Sequence, residues 1–154
     1  MTEKRICTRE SLRQQVQAWR AAGEKIVLAN GCFDLLHVGH VRYLEAAKAI
    51  ARNARLIVAI NSDASARALK GRGRPRIPEA ERAEVLAALR PVDAVVIFSE
   101  LDVRSLIREL RPDFHAKGTD YTADTVPERD AVLECGGKVV IVGDPKEHSS
   151  TELI

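Results

Sequence analysis

The stretch Lys25-Ile-Val-Leu-Ala-Asn-Gly-Cys-Phe-Asp-Leu-Leu-His-Val-Gly-His40 decides the fold. Its apolar run Ile26–Ala29 is short and continuous, as a strand buried on both faces requires. Gly31 to His37 reads as a turn. A helix over about 38–53 follows, with Val41, Leu44, Ala47 and Ile50 on one face. Strand, turn and helix together form the opening of a βα unit.

Working outward, the same alternation repeats. Thr8 is an N-cap for a helix with Leu12, Val16 and Trp19 at helical spacing, closed by Gly23. Leu56–Ile60 reads as a second strand, ending at Asn61-Ser62-Asp63, and a short helix covers about 64–69. Pro78 opens a helix to about Leu89, with Val85, Leu86 and Leu89 inward. Ala94–Phe98 is a third strand, 103–110 a helix stopped by Pro112, and 113–117 a fourth, polar strand. A helix over 127–135 ends at Gly136-Gly137, and 138–142 is a fifth strand. Buried strands alternating with helices predict a doubly wound α/β fold, a parallel five-stranded Rossmann-like sheet in one domain over residues 1–154. Such sheets bind ligands outside the carboxyl ends of their strands, where strand order reverses.

Composition narrows the function. The chain has 154 residues, with 24 Lys plus Arg against 22 Asp plus Glu, a net charge of +2. That balance excludes a general nucleic-acid coat protein, and any basic function must be local. Aromatics at 4% argue against a base-stacking platform. The 3 cysteines, Cys7, Cys32 and Cys135, form no CxxC, which points to reduced thiols and a cytoplasmic protein. The N-terminus has no signal-peptide pattern and no apolar stretch is long enough to span a membrane, so a membrane partner is not expected.

Residues 30–40 carry the chemistry. A helix N-terminus bears about half a positive charge and free N–H groups, and so attracts phosphate. Asn30, Cys32 and Phe33 line the same turn, and Gly31 allows a polyphosphate close to the backbone. His37 and His40 lie three apart on the first helical turn and can donate to phosphate oxygens. Gly39 costs about 1 kcal/mol of helix propensity, which calls for a spatial reason such as room for a nucleotide. A purely structural His pair and a zinc site completed by Cys32 or Asp34 are the other readings; no HExxH is present and no metal ligand is assigned.

Asn30-Gly-Cys-Phe-Asp34 followed by His37-Val-Gly-His40 resembles the HxGH motif of the nucleotidyltransferase superfamily, which includes cytidylyltransferases and small adenylyltransferases. Asn61-Ser62-Asp63, Lys70-Gly71, Arg74-Pro75, Arg82 and Val92-Asp93 follow the order found in that family. Lys117-Gly118-Thr119-Asp120-Tyr121 resembles the KGGDY segment of sugar-phosphate adenylyltransferases, with Thr119 for Gly, and Ser149-Ser150-Thr151 resembles the STT that opens their last helix. The resemblance implies transfer of AMP from ATP, with Mg²⁺, to a sugar 1-phosphate, the heptose 1-phosphate of lipopolysaccharide core synthesis above others. It implies a stand-alone counterpart of the second domain of the bifunctional heptose kinase/adenylyltransferase, working as a homodimer. Glycerol-3-phosphate cytidylyltransferase and FMN adenylyltransferase remain alternatives. Because the chain stops at Ile154, the last helix is expected to be a stub.

By the same resemblance, His37, His40, Lys70 and Arg82 act on the reacting phosphates. Lys117, Gly118, Asp120, Ser149, Ser150 and Thr151 join the turn in holding the nucleotide. Asp34, Asn61, Asp63 and Arg74 lie near the acceptor substrate. The residues leave other roles open. Asp34 can hold a turn by accepting backbone N–H groups. Arg82 can be solvent-exposed or pair with Glu79 or Glu81, and Arg90 lies near the end of the same helix. Lys48 reads as a surface residue and His115 as structural. Lys70-Gly-Arg-Gly-Arg-Pro-Arg76 is a solvated loop, a minor-groove hook or a mobile phosphate clamp. Nucleic acid is not the expected partner.

Overall fold

The computed structural model describes residues 5–144. Its strands are β1 (Ile6–Cys7), β2 (Lys25–Gly31), β3 (Ala54–Asn61), β4 (Ala94–Phe98), β5 (Phe114–Lys117) and β6 (Lys138–Ile141). Its helices are α1 (Arg9–Ala21), α2 (Val38–Lys48), α3 (Asp63–Lys70), α4 (Glu79–Ala87), α5 (Arg104–Leu110) and α6 (Arg129–Glu134). The strands form one parallel sheet in the order β1-β4-β3-β2-β5-β6.

The sheet has six strands, not the five expected. The addition, β1, pairs Ile6 with Val95 and Cys7 with Val96 at the edge. Two residues are too few to show any hydrophobic period, so only pairing identifies this strand. Helix α2 ends at Lys48 rather than near Asn53, because Ala49 leaves helical geometry. Val85 points outward at 48% exposure, while Ala83, Leu86 and Ala87 supply the inner face of α4. The N-cap at Thr8 is as expected, its side chain accepting from Ser11 N.

Alternation along β2 and β3 builds two cores. Ile26, Leu28, Ile57 and Ala59 face one layer with Leu12, Val16 and Trp19 of α1 and Leu106, Ile107 and Leu110 of α5. Val27, Ala29, Leu56, Val58 and Ile60 face the other, with Leu44 and Ala47 of α2 and Leu86 of α4. Both faces being covered is why the runs Ile26–Ala29 and Leu56–Ile60 are apolar at every position.

Acidic side chains tie down the strand entries. Asp113 accepts from Ile26 N at 2.8 Å. Asp93 accepts from Leu56 N at 2.8 Å and pairs with Lys48 at 2.6 Å. Lys48 is therefore a partly buried tether rather than the surface residue expected. Arg90 is exposed.

From β2 the chain winds outward through β3 to β4, then crosses to β5 on the opposite side of β2. The order reverses between β2 and β5, and the crevice at their carboxyl ends is where a ligand is held in this architecture.

Candidate active site

The turn after β2 is folded tightly. Phe33 adopts φ +49°, a left-handed conformation that is costly for a bulky residue. Its ring bends back over Gly31, where a Cβ would stand 3.2 Å from the ring. The same ring lies 5.6 Å, centroid to centroid, from that of His40. A side chain at Gly31 would thus press on the Phe33 ring.

His37 and His40 cap α2 reciprocally. His37 Nδ1 accepts from Gly39 N at 3.1 Å, and His40 Nδ1 accepts from His37 N at 3.2 Å. A nitrogen that accepts an N–H carries no hydrogen of its own, so both neutral rings bear theirs on Nε2. The rings stand 4.1 Å apart. Each ring thereby keeps an Nε2–H at a positive helix end, that of His37 being buried. Gly39 has a specific steric reason: a Cβ there would meet His37 Cε1 at 2.8 Å. The ring of His37 thus needs the absence of a side chain at Gly39, a position expected to leave room for a nucleotide.

The basic loop is anchored to the same turn. Asp34 does not bond within its own turn. Its carboxylate accepts from Arg76 N (2.9 and 2.8 Å), Ile77 N (2.9 Å) and Arg74 Nη1 (3.0 Å). Burial pushes its pKa up, but these three donors outweigh burial and hold it below the usual Asp value. The run Arg72–Pro75 therefore does not project as a minor-groove hook would, for the Arg74 side chain is only 12% exposed. Lys70, Arg72 and Arg76 remain on the surface.

Arg82 differs most from expectation. It is 1% exposed and donates to Ile77 O (2.8 Å), Cys32 O (2.6 Å), Asn61 O (2.9 Å) and Asp63 Oδ1 (2.7 Å). It pairs with neither Glu79 nor Glu81; Glu79 instead accepts from Asp63 N at 2.8 Å. A guanidinium so committed binds the ends of β2 and β3 to the basic loop. Asn61 and Cys32 are also paired with each other, Cys32 Sγ donating to Asn61 Oδ1 at 3.6 Å, while Asn61 Nδ2 donates to Ser65 Oγ at 3.3 Å. Burial raises the Cys32 thiol pKa against the lowering influence of Lys70, Arg82 and Arg74.

The end of β5 forms the opposite wall. Lys117 is buried, with Nζ 4.7 Å from the Tyr121 ring centroid. Burial lowers its pKa, offset in part by Glu128 and Asp120. Gly118 and the exposed Asp120 continue the loop. His115 Nε2 lies 2.7 Å from Asn30 Oδ1. Tyr43 of α2 donates to Ala116 O at 2.6 Å, joining the helix to this strand. Sequence reasoning missed Tyr43, whose partner lies only across the fold, and the buried Glu128, whose Oε2 has no hydrogen-bond partner among the described residues. Ser149, Ser150 and Thr151 lie outside the described residues. Among the described residues no group of three or more His, Cys, Asp or Glu is placed to hold a metal ion.

A helix N-terminus bearing two imidazole donors, at the switch point of a doubly wound sheet and flanked by a latched basic loop, defines a nucleotidyltransferase of the HxGH type. Residues 28–154 match the family described as cytidylyltransferase-like, and the chain belongs to that family. It is 49% identical over 150 residues to the bifunctional protein HldE of Methylobacillus flagellatus, covering 97% of this chain and 30% of that protein. It is 48% identical over 154 residues to the protein of the same name from Koribacter versatilis, covering 100% of this chain and 31% of that one. The chain thus spans about a third of the length of these curated relatives. A crystal structure of a lipopolysaccharide core biosynthesis protein from Thermoplasma volcanium superposes with a TM-score of 0.63 at 29% identity, covering 76% of this chain and 93% of that one. No helix among the described residues is long and apolar enough to cross a membrane.

Proposed function

We propose that this chain transfers the adenylyl group of ATP to D-glycero-β-D-manno-heptose 1-phosphate, releasing pyrophosphate. The pairing of His37 and His40, each held as an Nε2–H donor at the start of α2, carries the reading. A phosphate oxygen of the sugar attacks the α-phosphorus. A P–O bond forms there as the bond to the β-phosphate oxygen breaks, and pyrophosphate leaves with the electron pair. The phosphate monoester is already a nucleophile, so positioning and charge neutralisation suffice. His37 and His40 donate to oxygens that gain charge. Lys70 and Arg72 on the loop face the departing pyrophosphate, with Asp34, Arg74 and Arg82 fixing where that loop starts and ends.

Mg²⁺ would enter in this reading as a companion of the triphosphate rather than in a protein cage, and would supply charge neutralisation. Asp34 and Asp63 are already engaged by Arg74 and Arg82. The choice of acceptor rests on the Lys117–Tyr121 segment and is supported by the lipopolysaccharide core assignment of the Thermoplasma relative. A homodimer in the cytoplasm is part of the same proposal.

Pyrophosphate release measured with ATP or CTP against heptose 1-phosphate, glycerol 3-phosphate and FMN tests it. Release with ATP and the heptose phosphate alone is expected. Release with another pair overturns the substrate assignment, and release with none overturns the reaction.

A further inference from the structure

His115 is fully buried on β5, and its Nε2 meets the side chain of Asn30 near the carboxyl end of β2. It pairs in register with Leu28 of β2. Side chains two apart on a strand share a face, so Asn30 projects from the same face as His115, one step nearer the carboxyl end. Hence the 2.7 Å contact between His115 Nε2 and Asn30 Oδ1. The other ring nitrogen, Nδ1, is buried with no hydrogen-bond partner among the described residues.

Which of the two is the donor decides what Asn30 shows to a ligand. Burial and then the Lys117 cation push the His115 pKa down to about 3, so the ring is neutral with a single N–H. An N–H at Nδ1 would be a buried donor with nothing to bind, on the side of a strand that also carries Lys117. A lone pair there is tolerated better beside a cation. The hydrogen therefore sits on Nε2, and the Asn30 carboxamide must turn its oxygen toward it.

We propose that His115 is a positioning residue for nucleotide binding: by donating to Asn30 Oδ1 it holds the Asn30 NH₂ group toward the crevice, where it donates to an oxygen of the nucleoside triphosphate. Without that bond the amide is free to turn over and offer a carbonyl lone pair to an anion, which repels it. The inference rests on the nucleotidyltransferase reading and adds a donor to those of the His37–His40 pair.

Calorimetric titration of the full chain with Mg·ATP, without acceptor, tests it. His115→Phe is expected to weaken binding about tenfold, and His115→Gln, which retains a donor, to stay within about twofold of wild type. In an Asn30→Ala background His115→Phe is expected to add nothing, because its effect passes through Asn30. Wild-type affinity in His115→Phe, or an equal loss in both backgrounds, overturns the proposal. Independently of folding in any variant, ¹⁵N shifts of histidine-labelled wild-type protein must show the Nε2–H tautomer at His115; the Nδ1–H tautomer overturns it. Failure of the wild type to bind any nucleoside triphosphate overturns instead the nucleotidyltransferase reading beneath it.

Discussion

The carboxylate of Asp34 accepts the main-chain N–H of Arg76 through both oxygens, at 2.9 and 2.8 Å, across 42 positions of sequence. The turn after β2 and the basic loop are therefore one structural unit. Asp34→Asn replaces one acceptor oxygen with a donor that opposes these N–H groups. Losing a buried charge-assisted set costs about 2 kcal/mol, and kcat/KM is expected to fall about 10–100-fold as Lys70 and Arg72 lose their placement. Hydrogen exchange at the Arg76 and Ile77 amides provides the check: unchanged protection in the variant sinks the latch.

His37→Ala and His40→Ala each remove one placed donor and half of the reciprocal cap. Turnover is expected to drop 10²–10³-fold, about 3 kcal/mol, for each. The cap itself is worth about 1 kcal/mol, so the protein stays folded. Steady-state rates beside a thermal melt separate the two effects, and near-normal turnover in both variants rules out their catalytic role.

Gly39→Ala sets helix propensity against ring placement. Alanine favours α2 by about 1 kcal/mol. Its Cβ, however, would lie 2.8 Å from His37 Cε1, so the ring must swing off the Gly39 N–H. Activity is expected to fall nearly as far as in His37→Ala, with little loss in melting temperature. A fully active variant shows that the ring position is not needed.

Two cations of the same region separate by burial. Arg82→Met leaves Cys32 O, Asn61 O and the Asp63 carboxylate without their donor and is expected to cost about 3–5 kcal/mol of stability. Lys70→Ala, at an exposed position, should change stability by no more than about 0.5 kcal/mol while lowering kcat. Urea titration and kinetics on the pair test the split. Equal destabilisation by both substitutions contradicts it.

His115 makes stability depend on pH. Its folded pKa, near 3, lies below the ordinary value of 6.5, so between the two the unfolded chain binds the extra proton. Stability is then complete above about pH 6.5 and declines toward pH 3, by at most about 1.4 kcal/mol per pH unit. Asp34, whose folded pKa is lowered, contributes in the same direction but only in the acid range below the ordinary Asp value. Urea midpoints at pH 7, 6, 5 and 4.5, the lower end reading the slope before carboxylates titrate, should fall for wild type and flatten for His115→Phe. An unchanged slope in the variant assigns the dependence elsewhere.

Much of this was legible because local chemistry and global position agree. Thr8, the run Ile26–Ala29 and the helical spacing of Leu12, Val16 and Trp19 each state their element without help from distant residues. The edge strand Ile6–Cys7 was not legible, since its only support is pairing with Val95 and Val96. Val85 was misplaced because a helix of nine residues gives too few turns to fix which side faces the sheet.

By itself the sequence determined the doubly wound α/β plan and the placement of two histidines on the first turn of α2, because apolar period and motif spacing are local properties of the chain. Tertiary structure alone decided what each polar side chain does there. Asp34 and Arg82, adjacent to the site in sequence-based reasoning as substrate and phosphate contacts, are spent on the loop and strand ends they hold. Gly39 makes room for His37, and His115 finds Asn30 85 positions away. A buried donor or acceptor must be satisfied by whatever the fold brings within 3 Å, about the length of one hydrogen bond, and that neighbour is rarely near in sequence.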